Sequence, residues 1–170
     1  DEGNTIPFIA RYRKEQTGSL DDVVLRDLFE RLTYLRNLEQ RKEEVIRLIE
    51  EQGKLTEELK NEILSADVLQ RVEDLYRPYK QKKSTRASKA KEKGLEPLAQ
   101  IILAQNINDG DLDEIASPFI DEEKGVNNVK EAYEGACDII AETVSDNADY
   151  RKHIREAYIN EAVLISEAVD

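Results

Sequence analysis

Apolar residues recur at helical spacing through most of the chain. Leu25, Leu28, Leu32 and Leu35 fall three and four apart, and Val24, Leu38, Val45, Ile46, Leu48 and Ile49 widen the stripe. The pattern predicts one long helix over residues 20–52, roughly 50 Å at 1.5 Å per residue. Ser19 is expected to cap it, with Asp22 as the capping-box partner and Asp21 beside the positive helix end. Gly53 is expected to end it in the left-handed conformation. The wholly polar run 39–44 interrupts the stripe, so the two ends should bury against different neighbours. Upstream, residues 7–14 read as a short helix capped by Thr5, with Pro7 in its first turn. Ile6, Ile9 and Ala10 give it an apolar side and Arg11, Arg13 and Lys14 a basic one. Residues 16–18 read as a turn.

Downstream the helices shorten. Thr56 caps one carrying Leu59, Ile63 and Leu64. Another over residues 67–76 carries Val68, Leu69, Val72 and Leu75, and Pro78 ends it. Thr85 caps a basic helix that Gly94 closes, and Pro97 opens the next, with Leu98, Ile101 and Ile102 inward. Residues 106–121 read as a polar, acidic connector around Pro118. Asn128 caps a well-marked helix with Glu131 as its partner, through Val129, Ala132, Tyr133, Ala136, Ile140 and Val144. A last helix starts near Asp146, and residues 162–169 fit either a helix end or an extended strand. No segment sustains period-two alternation. The fold class expected is all-α: a multi-helix region with a helix-turn-helix-like element and one long helix.

Composition narrows the class. One cysteine, Cys137, rules out an internal disulfide framework. No apolar run reaches the length of a membrane span, and no signal peptide opens the chain. A cytoplasmic location follows by elimination. A chain of 170 residues that opens at Asp1 and contains no Met is expected to be a piece of a longer protein.

Net charge is −12, which repels nucleic acid on average. Residues 77–93 depart from that average. They hold Arg77, Lys80, Lys82, Lys83, Arg86, Lys89, Lys91 and Lys93 against Glu92 alone. Three readings stand side by side. The cations could neutralise phosphates, with Tyr76 and Tyr79 as stacking rings and Ser84, Thr85 and Ser88 as supporting donors. They could form a solvated loop and helix. They could dock on an acidic surface of this same chain, within residues 106–149.

Catalytic and metal chemistry finds little footing. His153 stands alone on a helical pattern, and Cys137 lies next to an apolar face, where it reads as a small packed side chain. One Cys and one His cannot build a structural zinc site. Asp109, Gly110, Asp111, Asp113 and Glu114 resemble calcium-loop spacing, but position six lacks glycine and position twelve lacks an acid. No glycine-rich phosphate loop is present. The expectation is no catalytic residue, no metal and no cofactor, hence not an enzyme.

Long stretches resemble a known family. DEGNTIPFIARYRKEQTGSLD at the start, VEDLYRPYK at 72–80, STRASKAKEKGLEPLA at 84–99 and SPFIDEEKGV at 117–126 are similar, in this order, to the Tex transcription accessory proteins of bacteria. The resemblance covers essentially the whole chain. It implies the helical N-terminal region of a multidomain protein, with a helix-turn-helix-like element and a long helix that organises other domains. Family members continue with a nuclease-like domain, helix-hairpin-helix motifs and an OB-fold RNA-binding domain, none present here. The domain division expected is 1–52 for the helix-turn-helix-like element and long helix, 53–105 for short helices with the basic segment, and 106–170 for the acidic connector and C-terminal helices.

The function expected is a non-catalytic scaffold contributing to RNA or DNA binding. The alternative is a scaffold docking other domains or RNA polymerase without nucleic-acid contact. The candidate nucleic-acid-binding residues are Arg11, Arg13, Lys14, Lys80, Lys82, Lys83, Arg86, Lys89, Lys91 and Lys93. Leu20, Asp21 and Asp22 make the start of the second helix acidic, so the basic first helix is the expected contributor of that pair.

Overall fold

The computed structural model describes residues 3–107 and 111–166. It is all-α, with no strand among the described residues beyond one isolated bridge between Asp121 and Val126. The chain divides into two compact units, residues 1–72 and 73–170.

In the first unit, Thr5 caps α1 (Ile6–Tyr12) by accepting from the Phe8 N–H at 3.4 Å. The expected turn holds a one-turn helix, α2 (Lys14–Thr17), closed by Gly18 at φ +64°. Ser19 does not cap the long helix. It sits at φ +67° and donates its N–H to the Lys14 carbonyl at 2.8 Å, so it belongs to the exit from α2. The cap of α3 (Asp22–Glu50) is Asp21, accepting from Val24 N at 2.9 Å.

α3 spans about 44 Å and runs unbroken through the polar stretch. Its two ends do meet different partners, α1 near the start and α4 (Glu57–Leu64) further on. The polar stretch hides a buried cation. Lys42 is 5 % exposed, and its Nζ donates to the Leu64 carbonyl at 2.9 Å and to Glu39 Oε1 at 2.8 Å. A carbonyl at the C-terminal end of α4 lacks an intrahelical donor, and an ammonium there also faces the negative end of the helix dipole. Tyr34 Oη in turn accepts from Leu69 N, at the start of α5 (Leu69–Tyr76). Leu25, Leu38, Val45, Ile49, Ile63 and Val72 are buried.

The second unit is built around one central helix. Pro78 turns the chain out of α5 through a 3-10 turn, Arg77–Tyr79. Thr85 and Ser88 close a reciprocal capping box on α6 (Arg86–Glu92). α7 (Glu96–Ala104) follows Gly94, and both α6 and α7 pack on α9 (Val129–Asp146). The connector carries more structure than its acidity suggests: Asp111 caps α8 (Leu112–Ala116), and a 3-10 turn over Ser117–Phe119 follows. Ala116 and Val126 are fully buried beside Leu95, Leu98, Ala132 and Ala136. Asn128 caps α9 as expected, accepting from Glu131 N at 2.9 Å. Asn147 caps α10 (Ala148–Glu161), and residues 162–166 leave it without regular structure. Residues 167–169, part of the expected terminal segment, lie outside the described residues, as do Asp109 and Gly110.

Gly135 explains how α9 accepts two helices at once. A Cβ there would stand 2.4 Å from Leu95 Cδ1 and 3.3 Å from Ala90 Cβ. Its bare backbone, with Ala90 of α6 and Leu95 at the start of α7 beside it, permits the close approach.

Candidate nucleic-acid interface

The basic segment splits into docked cations and cations that reach no carboxylate among the described residues. After the 3-10 turn the chain runs extended, with Lys80 at φ −63°, ψ 135°, until Thr85 starts α6. α6 seats on α9 through Ala87 and Ala90. That seating brings residues 77–86 alongside Asp138, Glu142 and Asp146. These three carboxylates are four residues apart, so they line one face of α9 at a pitch of about 6 Å.

Each meets a cation. Arg77 Nε donates to Asp146 Oδ1 at 2.9 Å. Lys82 Nζ bonds the other Asp146 oxygen and lies 3.3 Å from Glu142 Oε1. The Thr85 hydroxyl donates to Glu142 Oε1 at 3.1 Å, and Arg86 reaches Asp138 at 3.4 Å. Asp146 is only 8 % exposed, so its charge depends on these partners. A groove of about 480 Å³ lies between the strap formed by residues 77–86 and α9, lined by these residues with Ala141 and Ser145.

Other cations of the segment are also engaged. Lys80 pairs with Glu73 at 2.5 Å and sits over the Tyr76 ring at 5.4 Å. Lys91 lies 3.7 Å from Glu96. Lys93 donates to the Gly125 carbonyl at 2.7 Å. Lys83 and Lys89 are different: both are exposed and reach no carboxylate among the described residues. In the first unit Arg11, Arg13 and Lys14 are likewise exposed and without an ion pair among the described residues. The sequence placed all ten cations in one class; the geometry separates Arg11, Arg13, Lys14, Lys83 and Lys89 from the docked remainder.

The sequence offered docking within residues 106–149 as one reading without naming the carboxylates, and it passed over a second ionic centre. Asp74, 1 % exposed, accepts from Arg151 Nε at 2.8 Å and from Arg155 Nη2. Arg151 and Arg155 are four apart on α10, a spacing that pointed to a shared partner. The Asp138, Glu142 and Asp146 spacing was equally legible. Cys137 departs from the expectation of a packed thiol, because it is exposed. Ala132, Ala136 and Ile139 take the inward face of α9, and Cys137 lies about 100° round from Ala136. His153 is exposed on α10. The described residues hold no cluster of three metal-ligating side chains, and none of their helices is long and apolar enough to cross a membrane.

Comparison with known proteins places the chain. Residues 1–50 match the Tex-like protein N-terminal domain, and residues 108–170 match the Tex central region-like model. The chain belongs to the Tex family. It is 55 % identical over 168 residues to "Uncharacterized protein YdcI" of Bacillus subtilis, covering 99 % of this chain and 23 % of that protein. It is 45 % identical over 170 residues to "Transcriptional accessory protein Tex" of Neisseria gonorrhoeae, covering 100 % of this chain and 22 % of that one. A more distant relative is "S1 RNA-binding domain-containing protein 1" of Pongo abelii, 31 % identical over 170 residues, covering 99 % of this chain and 17 % of that protein. The chain therefore spans less than a quarter of the length of these relatives.

Proposed function

We propose that this Tex-family chain is a non-catalytic helical scaffold within a cytoplasmic transcription accessory protein, and that it adds contacts to RNA or DNA. The observation that carries the reading is the set of uncompensated cations. Arg11, Arg13, Lys14, Lys83 and Lys89 are exposed and reach no carboxylate among the described residues, so they are available to phosphates. The printed names of the relatives, one a transcriptional accessory protein and one carrying an S1 RNA-binding domain, support a nucleic-acid setting. The chain's own net charge of −12 argues for an auxiliary contact, confined to these patches.

The test is anisotropy of labelled single-stranded RNA and duplex DNA titrated with the 170-residue chain at several salt concentrations. The reading expects binding at low salt with a linear fall of log affinity against log salt. Absence of binding to either at low salt overturns it.

A second reading has its own observation. Val24, Leu28, Leu32 and Leu35 stay exposed along one face of α3, which fits a scaffold that docks other domains or RNA polymerase without touching nucleic acid. Capture of purified polymerase or of the family's other domains, lost on Leu28→Asp and Leu32→Asp, together with no nucleic-acid binding, would select it.

A further inference from the structure

We propose that the acidic ladder of α9 is an internal stand-in for a polynucleotide backbone, holding the strap 77–86 closed until a single-stranded nucleic acid displaces it. The inference rests on the nucleic-acid reading above and names its second, masked contact surface.

Three observations carry it. The ladder repeats negative charge along a line, at a pitch near 6 Å, comparable to successive phosphates along an extended strand. Its partners are those a phosphate chain would recruit: two guanidiniums, an ammonium and a threonine hydroxyl. The strap is also held by its side chains. Residues 81–84 make no backbone hydrogen bond among the described residues, whereas α6 is anchored independently by Ala87 and Ala90. Residues 81–84 can therefore lift without unseating α6, while Thr85 and Arg86, its cap and first residue, change partner through their side chains alone.

The balance of exposure makes exchange feasible. The side chains of Arg77 and Arg86 are 43 % and 86 % exposed, and that of Lys82 is 29 % exposed. The carboxylate side chains are less open, Asp146 at 12 % and Asp138 at 28 %, so the Arg86–Asp138 pair is the weaker one and yields first to a competing ion, while the two cations on Asp146 are held more firmly. Lys83, which is exposed and reaches no carboxylate among the described residues, adjoins Lys82 and offers a first foothold for the incoming strand. Displacement then transfers Arg77, Lys82 and Arg86 from carboxylates to phosphates, and the ladder takes up water. No covalent step is involved.

The test neutralises the ladder with Asp138→Asn, Glu142→Gln and Asp146→Asn in the 170-residue chain. Binding of a labelled single-stranded oligouridine is measured against salt. A control carries Glu114→Gln, Glu122→Gln and Glu123→Gln, which change net charge equally at exposed positions away from the strap. The expected result is about tenfold tighter binding by the ladder variant alone at low salt. Its salt slope should stay close to that of wild type, since the same three cations end on phosphates in both chains and only the cost of leaving the carboxylates differs.

Wild-type binding with no gain in the ladder variant, or an equal gain in the control, overturns the inference and leaves the proposed function standing. Failure of both chains to bind overturns the two together. Binding by the ladder variant alone supports the inference and moves the contact to the strap. If circular dichroism shows the triple variant to have lost helix, Glu142→Gln alone is read. It spares buried Asp146 and should bind two- to threefold tighter; no gain there also overturns the inference.

Discussion

Gly135→Ala tests the packing that positions the strap against α9. On helix propensity alone the change should stabilise, by about 1 kcal/mol. The structure predicts the reverse. The new methyl would stand 2.4 Å from Leu95 Cδ1, and Leu95 is 1 % exposed, so it has no free space to swing into. Ala90 Cβ at 3.3 Å closes the other side. Overpacking of a closed core costs about 1–3 kcal/mol. A contact this short belongs at the upper end, leaving a net loss of about 2 kcal/mol after the propensity gain. Urea unfolding followed by circular dichroism reads it, as a lower midpoint at unchanged slope. A double-mutant cycle isolates the cause. Leu95→Ala costs about 2–5 kcal/mol by itself, but it removes the clashing methyl. In that background Gly135→Ala should become neutral or mildly stabilising, a coupling of about 2 kcal/mol. Stabilisation by Gly135→Ala in the otherwise wild-type chain would refute the reasoning.

Other consequences follow from the ionic centres. Lys42→Met, which keeps the stem but loses the bonds to Leu64 and Glu39, should cost about 1 kcal/mol in urea unfolding. Lys42→Glu, burying a carboxylate beside Glu39, should cost about 3 kcal/mol or more, and wild-type stability in that variant would contradict the assignment. Asp74→Asn should lose about 2 kcal/mol, below the usual 3–5 for breaking a buried pair, because Arg151 and Arg155 can turn partly to water; an unchanged midpoint would show that the clamp holds nothing. The Asn127 backbone N–H, with the Asn127 and Asn128 side-chain amides, holds the Glu131 carboxyl below its ordinary value of 4.5. A depressed folded value means that its contribution is present above the unfolded pKa and is lost as pH falls through the folded one. Glu131→Gln should therefore flatten the acid side of the stability–pH curve, and an identical acid limb would count against it.

Much of the fold was legible because helix starts are local chemistry. Thr5, Thr56, Thr85 and Asn128 each accept from an N–H three residues on, a bond that sequence spacing alone can anticipate. Ser19 failed as a cap for an equally local reason: Gly18 and Ser19 both take positive φ to leave α2, which shifts the start of α3 to Asp21. The acidic connector hid α8 because its few apolar residues are spread thinly among acids, though Ala116 proves fully buried. The site was less legible than the fold. Arg77 and Asp146 are 69 positions apart, and Asp74 and Arg155 are 81 apart. Four-residue spacing announced a charged face on α9 and on α10, but the partner of each face is set by tertiary packing.

The basic segment is divided: Lys83 and Lys89 reach no carboxylate among the described residues, while Arg77, Lys82 and Arg86 are paired on α9. The most direct measurement is the salt dependence of single-stranded RNA binding by the wild-type chain and by Lys83→Glu, Lys89→Glu. The variant should bind markedly more weakly, with a log–log slope shallower by about 1.4, at roughly 0.7 per phosphate contact. An unchanged affinity and slope would contradict it.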